Sequence, residues 1–203
     1  MPIKKDREYR FSGAFNEIGD DRKDYYVSGY ASTFEPYLLF TDDGVEFWEQ
    51  IQPTAFEETD MTDVVFLVDH TGTVYARTRN GSVLLNVDNH GLNTMTNLGL
   101  TEAGREVYDS IRVGNYSQMS FSFVVAPGGD HFIDERGKVT RVIDKIAKLY
   151  DISAVAFPAN PGTEIGVSYR DLFNGEIERI ETERLKAIKE RTLLKLKLYR
   201  GMR

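Results

Sequence analysis

Residues 9–157 run as short β-rich segments broken by turn residues, and no other feature narrows the possible folds as much. The pattern favours a barrel or sandwich over a doubly wound sheet, with helices in the minority. Residues 25–31 read as a strand, and Asp42-Asp43-Gly44 as a turn before a strand over 45–51. Pro53 suits the first position of a short helical turn through Ala55 and Phe56. Residues 64–68 are apolar on both faces and mostly β-branched, which predicts a central, fully buried strand ending at Asp69-His70. Arg79-Asn80-Gly81-Ser82 reads as the turn of the next hairpin, whose second arm over 83–87 leads into Asp88-Asn89-His90-Gly91.

One helix is expected inside this region, with Thr101 as its N-cap, Ala103, Val107 and Ile111 on its apolar side, and Gly114 at its end. In the strand that follows, Met119, Phe121, Phe123 and Val125 share one face and Ser120, Ser122 and Val124 the other. Residues 127–137 are glycine-rich and read as a loop, with strands again over 138–146 and 151–157, the latter stopped by Pro158-Ala159-Asn160-Pro161-Gly162. From about Asp171 the composition shifts to Glu, Lys, Arg, Leu and Ile. The acidic residues lead and the basic ones follow, as a helix dipole favours. The chain therefore divides into a β domain over 1–170 and a helical tail over 171–203.

Composition excludes several chemistries. The sequence has no cysteine, so neither a thiolate nucleophile nor a disulfide framework is available. The net charge of −7 argues against a general affinity for nucleic acid, and no segment approaches the ~20 apolar residues of a membrane span. Metal-ligand spacings and glycine-rich phosphate loops are missing, and no cofactor is expected. The expectation is a soluble protein whose partners are proteins.

A hydroxyl nucleophile needs an imidazole to take its proton and a third group to orient that imidazole. Of the three histidines, His70 is placed best, at the end of a strand, while His90 and His131 fall in turn or loop sequence. Ser120, opposite large apolar residues, reads on pattern as a polar strand residue facing solvent, and no Gly-x-Ser-x-Gly elbow surrounds it. Asp151 begins an apolar run and requires a partner, which could be a backbone amide, a basic side chain or an imidazole.

Taken in order, Gly29-Tyr30-Ala31, Gln52-Pro53-Thr54-Ala55-Phe56, Val68-Asp69-His70, Gly91-Leu92, Met119-Ser120-Phe121-Ser122-Phe123 and Asp151-Ile152-Ser153-Ala154-Val155 before Pro158-Ala159-Asn160 resemble the prohead protease family of tailed phages. The resemblance covers roughly residues 10–165. It implies an α+β fold like that of the herpesvirus assembly protease, a mainly antiparallel β-barrel surrounded by a few helices, and a serine endopeptidase. Under it Ser120 takes the nucleophile position and His70 the base position. Asp151 takes the third, where the family usually has Glu, and Thr54 stands where it usually has Gly. Arg141 is a candidate for oxyanion support. The implied substrates are the scaffold and the scaffold-like extension of the major capsid protein, cleaved in the assembling prohead within the host cytoplasm. A homo-oligomer is compatible with the pattern, and the alternative reading is an inactive assembly or scaffolding protein that keeps the fold.

Overall fold

The protein is described here by a computed structural model covering residues 7–18, 25–135, 137–156 and 169–201. It divides into two compact units, residues 1–160 and 161–203. Among the described residues the first unit carries twelve strands. In chain order these are β1 (Glu8–Ile18), β2 (Tyr26–Thr33), β3 (Tyr37–Asp42), β4 (Val45–Ile51), β5 (Val65–Val68) and β6 (Thr71–Arg77). They continue as β7 (Val83–Val87), β8 (Gly91–Asn97), β9 (Gln118–Val125), β10 (Asp130–Glu135), β11 (Lys138–Ile143) and β12 (Ile146–Val155). Helix α1 (Glu102–Arg112) lies between β8 and β9. The expected α+β class, rich in strands, is what the chain adopts.

Eight strands form one sheet in the order β6-β5-β12-β9-β1-β2-β8-β7, and four form another, β10-β11-β4-β3. Both sheets are open, and the described residues do not close the expected, mainly antiparallel barrel. The edge strands β6 and β7 meet where Ser82 Oγ donates to Arg77 O and accepts from Arg77 N, and no ladder among the described residues joins them. The cause is local: after Arg77 the chain winds into a 3₁₀ turn over Thr78–Asn80 that ends at Gly81, φ 75°, so the two strands diverge. The predicted turn at Arg79-Asn80-Gly81 is present, but it links strands that do not form a hairpin.

Other local signals act as expected. Asp43 and Gly44, at φ 45° and 76°, make the tight β3–β4 turn, and Pro53 opens a 3₁₀ turn. The Thr101 hydroxyl accepts from Gly104 N at 3.0 Å, and Gly114 at φ 86° follows the end of α1. The buried side of α1 is Gly104, Val107, Tyr108 and Ile111, with Ala103 exposed. A Cβ on Gly104 would lie 2.3 Å from the Leu98 carbonyl, so a larger residue there would push the helix off the sheet. Residues 130–135, expected as loop, form β10. Its side chains are mostly exposed, and the strand is held by its antiparallel ladder to β11, which the apolar pattern does not reveal.

The core lies on one face of the large sheet, where Met119, Phe121 and Phe123 of β9 meet Ile152 and Ala154 of β12, Phe66 of β5 and the apolar side of α1. A one-residue register shift in β12 decides what the other face carries. Leu149 pairs with Phe123 while Asp151 pairs with Ser122, so Tyr150 is an extra residue that reverses the alternation along β12. Leu149 thus points to the core and Asp151 away from it.

The second unit is helical over its described residues. Its main element is α2 (Asn174–Gly201), 28 residues long, with Arg179 bonded to Glu176 and Glu183 one turn either side. Leu185, Ile188, Leu193 and Leu194 are exposed along it. The predicted strand stop at 158–162 lies outside the described residues. No helix among the described residues is long and apolar enough to cross a membrane.

Candidate active site

The polar face of the large sheet is built by register. Val65 and Leu67 of β5 stand beside Asp151 and Ser153 of β12, which stand beside Ser122 and Ser120 of β9, and Tyr9 of β1 pairs with Ser122. His70 reaches this face from the β5–β6 turn. The sequence places His70 at the end of a strand, and the structure places it in the two-residue turn between the paired Val68 and Thr71. Asp69 and His70 take φ 47° and 56°, a left-handed pair without glycine. The Asp69 amide donates to the Ala154 carbonyl at 3.0 Å, which ties the turn to β12.

Three of the expected residues converge. His70 Nδ1 lies 2.5 Å from Asp151 Oδ1, and His70 Nε2 lies 2.5 Å from Ser120 Oγ. Asp151 accepts the Nδ1 proton, which leaves the Nε2 lone pair facing the serine hydroxyl. Ser120 Oγ also stands 2.7 Å from the Arg10 carbonyl, to which it donates whenever Nε2 carries a proton. The Arg10 carbonyl comes from a second bulge: β1 has one residue more than β9 between Arg10 and Gly13, opposite Ser120. Ser120 and Ser122 are both wholly buried, contrary to the solvent-facing strand pattern, with the His70 side chain against Ser120 and Asp151 against Ser122.

Two serines that sequence reasoning left without a role complete the cluster. Ser122 Oγ donates to Asp151 Oδ2, and Ser153 Oγ donates to Oδ1 at 2.9 Å while lying 3.2 Å from His70 Nδ1. Burial pushes the Asp151 carboxyl up, but the His70 contact and the two serine bonds outweigh it and hold the group below its usual range. The ring edge of Tyr9 packs on the imidazole, centroids 4.7 Å apart at 72°. The His70 and Asp151 side chains are 2% and 3% exposed, so water competes little with their hydrogen bond.

The other candidates lie elsewhere. His131 Nδ1 sits 2.6 Å from Asp144 on an exposed surface, and His90 packs its ring edge against Tyr30. Arg141, expected near an oxyanion, directs its donors to Asp130, Glu8 and Glu49 in a buried cluster. Arg10 joins that cluster by a paired contact with Glu49 and a 2.6 Å bond to Glu8, and Tyr37 donates to Glu49. Residues 8 and 10 of β1 are thereby clamped to Arg141 of β11 and Glu49 of β4, which in turn hold Asp130 of β10 and Tyr37 of β3, next to the carbonyl that meets Ser120. Burial pushes the Glu8 carboxyl up and its two arginines pull it further down, leaving it below its usual range. Among the described residues no group of His, Asp or Glu is placed to hold a metal ion.

A hydroxyl, an imidazole and a carboxylate in linear relay, on one face of a sheet, form an arrangement able to activate a serine for acyl transfer. Residues 14–177 match the family of caudovirus prohead serine proteases, and the chain belongs to that family. No curated protein and no solved structure gives a significant match.

Proposed function

We propose that the chain is a serine endopeptidase that trims the scaffold, the scaffold-like extension of the major capsid protein, or both, inside the assembling prohead. The observation that carries this reading is the His70 bridge between Ser120 and Asp151 in a chain of the prohead protease family. His70 Nε2 takes the Ser120 proton as Oγ attacks the scissile carbonyl. The imidazolium then formed is stabilised by Asp151, and Nε2–H protonates the leaving amine. A water molecule repeats the sequence on the acyl-enzyme and frees Ser120. Ser122 and Ser153 hold the shorter Asp151 carboxylate in line with Nδ1. In this reading Arg141 acts through β1, bracing the strand whose Arg10 carbonyl faces the nucleophile, and supports the oxyanion only indirectly.

The direct test is coexpression of the chain with the capsid and scaffold proteins of its own phage, followed by gel and mass analysis of the particles. Shortened capsid or scaffold chains with the wild type, and full-length ones with Ser120→Ala, are expected. Identical processing by both would exclude the mechanism, and no processing by either would favour a purely structural role.

A further inference from the structure

A cavity of about 480 Å³ lies on the polar face beside His70 and Asp151 and extends along β5 and β6. The relay does not use it. Val65, Leu67 and Val74 give it apolar walls, and Tyr9 and Tyr150 flank them. Its two carboxylates are engaged: Asp151 with His70, Ser122 and Ser153, and Asp63 with Arg77 through bonds of 3.0 and 2.6 Å. Its cation is not. Arg7 lays its guanidinium over the Tyr150 ring, 3.5 Å from the centroid, and among the described residues no carboxylate pairs with it. Stacking fixes the guanidinium plane and leaves the N–H groups at its edge for a ligand.

An apolar wall with a fork of donors that no carboxylate among the described residues engages fits a side chain that has an aliphatic stem and a terminal carboxylate. We propose that this cavity is a substrate subsite that takes an acidic side chain, glutamate above others, from a residue flanking the scissile bond. The glutamate carboxylate pairs with Arg7, and its methylenes lie along Val65, Leu67 and Val74. The proposal rests on the protease reading for its meaning, but the binding preference can be measured apart from turnover.

The experiment uses blocked octapeptides randomised at all positions but one, where Glu, Gln or Lys is fixed. Cleavage by the wild-type chain is read as kcat/KM, and binding to Ser120→Ala by fluorescence anisotropy. At one position Glu is expected to exceed Gln about five- to tenfold, as a charge-assisted pair in a partly shielded site allows. Arg7→Lys should keep a weaker preference for Glu, and Arg7→Glu should move the preference to Lys. An unchanged Glu to Gln ratio in Arg7→Glu, or no charge preference at any position, overturns the subsite. Peptides bound with the Arg7-dependent preference but never cut support the subsite and remove the protease reading. Cleavage without charge preference does the reverse, and neither binding nor cleavage removes both.

Discussion

At the scale of single residues, the arrangement assigns different duties to two serines two positions apart on one strand face. Ser120 faces Nε2 of His70, whereas Ser122 faces the far oxygen of Asp151. Ser120→Ala is therefore expected to abolish cleavage, and Ser122→Ala to leave a rate lowered about tenfold, with the Asp151 carboxyl titrating higher because one of its donors is gone. Cleavage assays of the two variants on one capsid-derived substrate check this, and equal losses would contradict it. Asp151→Asn should fold, keep KM, and lose about 10³- to 10⁴-fold in kcat, since the amide cannot hold the imidazole in the required tautomer. The meeting of His70, Ser120 and Asp151 was legible in the sequence through the ordered family motifs; pattern alone made Ser120 a surface residue and left three histidines open. The duties of Ser122 and Ser153 were not legible, because they depend on the extra residue at Tyr150 that brings Asp151 opposite Ser122. A register shift between strands 29 positions apart leaves no mark in local alternation.

The element that matters most is the β5–β6 turn. Asp-His is not a pair that signals a left-handed turn as Asn-Gly does, so the sequence showed a strand end where the fold has a hairpin corner. The Asp42-Asp43-Gly44 turn, which ends in glycine, was legible for that reason. Replacing Asp69 by glycine, which adopts positive φ freely, should preserve cleavage and hold or raise stability by about 0.5–1 kcal/mol. Asp69→Val should cost about 1–2 kcal/mol and slow cleavage further than the stability loss explains, because a shift of the turn moves His70 away from Ser120. Denaturant titration and kcat on the same samples separate the two effects, and full activity in Asp69→Val would show that the turn does not position His70. Helix α2 offers a different test. Its exposed Leu185, Ile188, Leu193 and Leu194 mark a surface element, and we expect a chain ending at Tyr169 to fold and cut peptides but fail to enter proheads. An insoluble product would show that the helix belongs to the core.

Across the whole molecule, burial and charge are coupled through β1, whose Glu8 and Arg10 bind strands of the small sheet while its bulge faces the nucleophile. Removing Glu49 would leave Arg10 and Arg141 short of a buried partner, and Glu49→Ala should cost about 3–5 kcal/mol. Glu8 and Asp151 are both held below their ordinary values of 4.5 and 3.8, so the stability they add is full above those values and is lost as pH falls through the folded ones. Unfolding free energy should be level from pH 7 to about 5.5 and decline below about 4.5, less steeply in Glu8→Gln; stability that rises on acidification would contradict the cluster's role. The β-rich architecture was legible from the turn-punctuated runs, but the open edges were not, since closure depends on whether β6 and β7, residues 71–77 and 83–87, find each other across a short 3₁₀ turn. The account as a whole stands on Ser120 being a nucleophile raised by His70. Incubation with a fluorophosphonate and mapping of the adduct by mass spectrometry tests that most directly. A single adduct on Ser120 is expected, lost in His70→Ala although that variant stays folded. An adduct on another residue, or labelling of Ser120 unchanged in His70→Ala, would contradict it.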